Sequence, residues 1–260
     1  MEARTVMELT VDAINKTFIS NGNINQVLKD ISFEVDKGQF ISLLGPSGCG
    51  KTTLLTIIAG FQKPDSGSII VEGKKVVKAG PDRGFVFQNY ALFPWMTVKD
   101  NILFPMKQIK MPKAEREERL KVLLEMSQLE GREGLYPHQI SGGMKQRTAL
   151  VRALATKPSV LLMDEPLGAL DFQMRQSLQD ELEEIWLRDR TTVVMVTHDV
   201  DEAVYLSDRV IVMSTNKGQI VEDMNIELDR PRNRKSIEYE KYKNQLTIAL
   251  TKASPEMTED

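Results

Sequence analysis

The run Phe40-Ile41-Ser42-Leu43-Leu44 breaks into Gly45-Pro46-Ser47-Gly48-Cys49-Gly50-Lys51-Thr52-Thr53 and resumes as the apolar stretch Leu54–Ala59, closed by Gly60. A short apolar run, a glycine-rich turn and a periodic segment stopped by glycine read as strand, loop and helix. Gly45, Gly50, Lys51 and Thr52 match the spacing G-x-x-x-x-G-K-[ST]. Glycines let successive backbone N–H groups turn inward on a phosphate, and the helix that starts there adds its positive dipole end. In that chemistry Lys51 reaches the β- and γ-phosphates of a nucleotide, the Thr52 hydroxyl ligates Mg²⁺ and Thr53 donates to the α-phosphate. A glycine-rich turn alone would be unremarkable. The strand before it and the helix after it supply the context that the motif requires.

The remaining pattern fits an α/β fold around that unit. Alternation in "MELTVDAIN" and "LKDISFEVDKG" predicts two antiparallel strands, and "PDSGSIIVEGKKV" and "RGFVFQ" predict further strands. From about residue 89 to 157 the texture becomes charged and helical. "MPKAEREERLKVLLEMSQLEG" is expected to bury Leu120, Leu123 and Leu124, and "SGGMKQRTALVRALATKP" is expected to open at Ser141 and close before Pro158. Strands then alternate with helices again, in "SVLLMD", a helix over 171–190, "TTVVMVTH", "DVDEAVYLS" and "DRVIVMS". The expected architecture is a mainly parallel sheet core with an antiparallel β-subdomain and a helical insertion.

Candidate partners for the loop lie at strand ends. "VLLMDEP" places Asp164 where an acidic residue holds Mg²⁺ through water, and Glu165 one step on, where it polarises an attacking water. His198 ends the run "VVMVT"; the C-terminal mouth of a strand in such a sheet is where ligands bind, so it is assigned to the γ-phosphate. His138, in a loop, is given a structural role.

Composition narrows the class. The 260 residues carry 34 Lys+Arg against 37 Asp+Glu, a net charge of −3, which gives no electrostatic reason to expect nucleic-acid binding. No run approaches the roughly 20 apolar residues of a membrane span, and "MEARTVMELT" lacks the pattern of a signal peptide. A lone cysteine, Cys49, fits a reducing compartment. The expectation is a soluble, intracellular chain.

With these residues in view, the chain resembles the ATP-binding subunit of ABC transporters from about Glu8 to Lys235. "ISGGMKQR" looks like the family's signature loop, and it stands between the phosphate loop and the Asp164-Glu165 pair in the family's order. Ile140 and Met144 replace the commonest outer residues of that signature, while Ser141, Gly142 and Gly143 are intact. The resemblance implies a P-loop ABC ATPase fold over 1–235, with the helical subdomain at about 89–157, and a C-terminal extension over 236–260. It also implies that Gln88, in "FVFQNYALFPW", touches Mg²⁺ and the attacking water, that Phe18 stacks on adenine, and that "LGALD", ending at Asp171, lies across a dimer interface. For Phe18, core packing is the competing reading.

The same resemblance implies ATP and Mg²⁺ as cofactors and a head-to-tail pair of ATPase subunits, a homodimer, in which Ser141–Gly143 of one faces the nucleotide of the other. A separate transmembrane permease, a solute-binding protein reached through it, and a peripheral place on the cytoplasmic face of the membrane follow. Tyr90, Leu92, Phe93, Pro94 and Trp95 either pack between lobes or receive a short helix of the permease. "PDRGFVFQNYALFPWMTVKDNI" and "HDVDEAVYLSDRVIVMS" are similar to nitrate, sulfonate and taurine importers, and the chain stops before the extra C-terminal β-domain of sugar importers. A soluble ABC ATPase outside transport is the alternative. Arg230, Arg232, Arg234 and Lys235 are expected to lie in a solvated tail, with contact to lipid headgroups as the alternative, and the Cys49 thiol beside bound nucleotide, with buried packing as the alternative.

Overall fold

A computed structural model describes residues 7–20, 23–168 and 172–254. In chain order the elements are β1 (Met7–Ser20), β2 (Asn23–Asp36), β3 (Phe40–Leu44), α1 (Lys51–Ala59), β4 (Ser66–Val71), β5 (Lys74–Lys75) and β6 (Arg83–Val86). Then come α2 (Val98–Gln108), α3 (Lys113–Met126), a 3₁₀ turn (Pro137–Gln139), α4 (Gly142–Leu154), β7 (Val160–Asp164) and α5 (Phe172–Asp189). β8 (Thr192–Thr197), α6 (Val200–Leu206), β9 (Arg209–Met213), β10 (Ile220–Asn225) and α7 (Ile237–Ala253) complete the described chain. No helix among the described residues is long and apolar enough to cross a membrane.

The chain divides into two compact units, one of Met1–Gly80 with Thr192–Asp260, the other of Pro81–Thr191. In the first, β1 pairs antiparallel with both β2 and β4, and β5 extends the sheet, as the alternating patterns predict. A second sheet sets β3 between β8 and β9, parallel to both, with β10 antiparallel on β9. All five residues of β3 and all six of β8 are buried, which accounts for their mostly apolar character. α1 ends in a left-handed turn at Gly60 (φ 77°), whose neighbour Phe61 donates its N–H to Thr56 O at 3.0 Å.

In the second unit, β6 and β7 are parallel neighbours in register from Arg83↔Val160 to Val86↔Met163. Between them run α2, α3 and α4, with Leu120, Leu123 and Leu124 buried as expected and Ser141 capping α4. α2 was not anticipated. Its N-cap is Thr97, whose Oγ1 accepts the Asp100 N–H at 3.1 Å, and its Asn101 is fully buried.

The tail differs from its expectation. Arg232 is 5 % exposed, and its guanidinium donates to Tyr205 O (3.2 Å), Ser207 O (2.6 Å) and Val204 O. Arg230 donates to Leu206 O at 2.7 Å and Asp208 Oδ1 at 2.8 Å, and the Arg234 guanidinium lies 3.4 Å from the centre of the Tyr205 ring. Arg232 is buried and Arg230 and Arg234 are half-buried, while Lys235 is exposed as expected. The last carbonyls of α6 have no intrahelical donors, and a planar guanidinium supplies several at once.

Gly60 yields a stability prediction. A Cβ there would fall 2.5 Å from backbone atoms of Lys78, in a left-handed conformation that side chains disfavour. Gly60→Ala is expected to lower unfolding stability by about 2 kcal/mol, read as a lower midpoint in chemical denaturation with unchanged slope.

Candidate functional site

The first unit carries the phosphate loop. β3 delivers the chain to Gly45, and α1 begins at Lys51 behind Gly50, which sits at φ 100°. A side chain at Gly50 would meet Leu28 at 2.8 Å and Val27 at 3.0 Å, so both the backbone angle and the close approach require glycine. No side chain caps α1. Ser47, Gly48 and Thr52 are exposed, and Pro46 and Thr53 are half-buried.

Lys51 is 5 % exposed, and its Nζ donates to Gly45 O at 2.7 Å and Pro46 O at 2.9 Å. Its charge is therefore held against the loop's own carbonyls, inside the curve of the motif. Cys49 corrects an expectation: it is 1 % exposed, with Sγ 3.9 Å from Lys51 Nζ. Burial pushes its thiol pKa up against the opposing pull of Lys51. The thiol packs beneath the loop instead of facing a ligand. Phe18 is no core residue. It lies on β1 opposite Asn25, 38 % exposed, with Lys16 Nζ 5.5 Å from its ring centre, so an aromatic face is available to a ligand.

His198 follows the last residue of β8 and is exposed. Its neighbours on both sides are tied down. Thr197 Oγ1 donates to the buried Glu202 carboxylate and accepts the Asp199 N–H at 3.0 Å, while Asp199 Oδ1 accepts the Glu202 N–H at 3.1 Å. That brace was not foreseen; the signal was the spacing Thr197, Asp199, Glu202 around a strand-to-helix corner.

The second unit carries the acids, the glutamine and the signature loop. Asp164 is the last residue of β7, and Glu165 follows at φ 43°, an unusual angle for a glutamate. Gln88 stands two residues beyond β6, and its Nε2 donates to Glu165 Oε2 at 3.2 Å. Two residues 77 apart in sequence thus meet at the C-terminal ends of neighbouring parallel strands, where α/β sheets place their sites. Ser141 caps α4, its Oγ accepting the Met144 N–H at 3.3 Å, so Gly142 and Gly143 occupy the first helical positions. Ile140 is buried and anchors the approach. Asp171 lies outside the described residues.

Beyond Gln88, Tyr90 and Ala91 adopt positive φ, and Arg152 grips their carbonyls at 2.8 and 2.7 Å. Buried Asn101 exchanges hydrogen bonds with Phe93, accepting its N–H at 2.9 Å and donating to its carbonyl at 3.2 Å. Phe93 packs on Phe104 (4.8 Å), while Trp95 is 70 % exposed. Arg152 and Asn101 were not singled out from sequence; Asn101 is a polar residue at a buried phase of its helix, and Arg152 is half-buried.

Residues 28–168 match the ABC transporter family model. The chain is 49 % identical over 247 residues (95 % of this chain, 92 % of the relative) to an uncharacterised ABC transporter ATP-binding protein of Methanocaldococcus jannaschii. The chain belongs to the ABC transporter family. It is an ATP-binding subunit of the importer type, an ATPase. The aliphatic sulfonates import ATP-binding protein SsuB of Bacillus thuringiensis is 41 % identical over 240 residues, 92 % of this chain and 94 % of that protein. The bicarbonate transport ATP-binding protein CmpC of Synechococcus elongatus is 46 % identical over 233 residues, 88 % of this chain and 35 % of that protein. Among solved structures, a dimeric ATP-binding cassette in a post-hydrolysis state with ADP and Pi superposes with TM-score 0.72 at 32 % identity, covering 84 % of this chain and 99 % of that one.

Burial of Cys49 sets a labelling result. The folded ABC subunit at neutral pH is expected to react with iodoacetamide far more slowly than after unfolding in guanidinium, with or without MgATP. Rapid labelling of the folded protein that MgATP blocks would restore the exposed thiol.

Proposed function

We propose that this subunit binds MgATP between two copies of itself packed head to tail, and that hydrolysis there drives solute uptake through a separate permease. The observation that carries this reading is the Gln88–Glu165 contact at the ends of β6 and β7. It holds a carboxylate on an amide donor beside Asp164, in the arrangement a water-activating base needs.

The loop's parts suit the polyphosphate. The uncapped start of α1 offers N–H donors and a positive dipole end, and Lys51 can exchange its two loop carbonyls for phosphate oxygens. Gly45 to Thr53, the thiol of Cys49 aside, would wrap the phosphates, and Phe18 would lie against the adenine through its exposed ring. A Mg²⁺ ion fits the donor set of the Thr52 hydroxyl, the Asp164 carboxylate and the Gln88 amide oxygen, all hard ligands. When bound, that ion would withdraw charge from the phosphate oxygens. Glu165 would take the proton of the attacking water, Gln88 would orient that water, and His198 would contact the γ-phosphate.

Ser141–Gly143 of the partner subunit would close the site with a second helix N-terminus, so that ATP holds the dimer until phosphate leaves. The segment from Tyr90 to Trp95, held by Arg152 and Asn101, would receive a short helix of the permease on the cytoplasmic face of the membrane, and so link Gln88 to transport. A solute-binding protein would deliver the solute to that permease. The sulfonate-import relative suggests a small organic or inorganic anion of the nitrate, sulfonate and taurine kind. Residues 1–235 would form the ATPase domain, with the helical subdomain at about 89–157, and 236–260 an extension of it; no nucleic acid takes part.

Glu165→Gln tests the assignment. It should bind MgATP with wild-type affinity, lose about 10²-fold or more of turnover, and elute as a stable dimer with MgATP. Turnover at the wild-type rate would refute the role of Glu165. Trp95→Ala should keep basal ATPase activity while losing stimulation by the reconstituted permease.

A further inference from the structure

Downstream of the catalytic motifs, residues 230–243 grip one short helix from both ends. At its C-terminal end, Arg232 and Arg230 together donate to the carbonyls of Val204, Tyr205, Leu206 and Ser207, and Arg234 stacks on Tyr205. Toward its N-terminal end, the fully buried Tyr239 of α7 donates its hydroxyl to Asp201 O at 3.1 Å, and Lys243 Nζ lies 3.3 Å from Asp201 Oδ1. The helix so held is α6, which begins two residues after His198.

The same residues reach the strand that feeds the phosphate loop. Asp208, paired with Arg230, accepts the Phe40 N–H at 2.9 Å through Oδ2 and donates its own N–H to Phe40 O at 2.7 Å. The hydroxyls of Ser207 and Ser42, the latter in the middle of β3, are 2.5 Å apart. Thus the corner at residues 207–208 is joined on one side to β3 and on the other to the arginines. At the opposite end of α6, the Thr197–Asp199–Glu202 brace sets the backbone on either side of His198. A helix of seven residues gripped at both ends has little freedom to shift or fray.

We infer that Arg232 and Tyr239 are positioning residues for His198: through α6 they fix the strand-to-helix corner that presents this imidazole relative to β3. The inference rests on the reading of His198 as a γ-phosphate contact. Neither residue touches nucleotide. Their effect is to keep the imidazole in place during turnover, so it falls on kcat and not on ATP affinity.

The chain's two histidines, His138 and His198, give a direct readout. The experiment records the Cε1–Hε1 resonances of both, with MgATP turnover, for the wild type, Tyr239→Phe, Arg232→Lys and His198→Ala. Tyr239→Phe should shift or broaden the His198 signal, leave the His138 signal in place, and lower kcat about two- to tenfold at unchanged KM for ATP, the size expected for one lost hydrogen bond. Arg232→Lys, which retains the charge and loses the multiple donors, should act in the same direction and more strongly. If that variant does not fold, Tyr239→Phe, which removes a single oxygen, carries the test alone. An unmoved His198 signal or a wild-type kcat in Tyr239→Phe, with His198→Ala inactive, overturns the inference and leaves the role of His198 standing. Wild-type turnover by His198→Ala overturns the role of His198 itself.

Discussion

A helix that starts without a side-chain cap, directly behind a fully buried strand, is the constraint on which the first unit depends. Four backbone donors at the start of any helix lack intrahelical partners, and most helices satisfy some of them with Ser, Thr, Asp or Asn. α2, α4, α6 and α7 do so here, through Thr97, Ser141, Asp199 and Ser236. α1 begins behind Gly50, with no side-chain cap. Such a terminus binds anions only if it is rigid. The burial of β3 between β8 and β9, and the contact of Gly50 with Val27 and Leu28, provide that rigidity.

The buried polar side chains follow a common logic. Lys51, Asn101, Glu202 and Arg232 are each almost wholly removed from solvent, and each is matched to backbone or side-chain partners. Burying such groups without partners would be strongly unfavourable. Their partners are loop carbonyls, helix ends and corner residues, so the bonds they make shape irregular backbone. Lys51 shapes the phosphate loop, Asn101 the segment after Gln88, Glu202 the corner at His198, and Arg232 the end of α6. The buried polar groups keep these irregular segments from relaxing.

Much of this was legible beforehand. β3, α1, β7 and β8 announce themselves by strand-length apolar runs and a glycine stop, and the α4 cap by Ser141 before a periodic segment. The phosphate-loop motif was legible because its chemistry demands particular residue types at short spacing. α2 escaped because Pro105 lies inside it and its polar Asn101 points inward, which blurs the helical period. The arginines at 230, 232 and 234 were misread because a basic cluster in a late segment has the composition of a solvated tail; only the end of α6, whose carbonyls accept from Arg230 and Arg232 and whose Tyr205 ring receives Arg234, gives them a structural role. Cys49 was misread because spacing along a loop does not tell which way a side chain turns.

The sequence by itself determined the phosphate loop, the acidic pair, the signature loop and the family, because each is local: a few adjacent residues carry all the chemistry. Tertiary structure decided which distant residues meet. It brought Gln88 onto Glu165 by pairing β6 with β7, turned Cys49 under its loop, and set two arginines on the end of α6. Those outcomes depend on strand register and on the direction of buried side chains, which the whole packed core sets and no short stretch of sequence encodes.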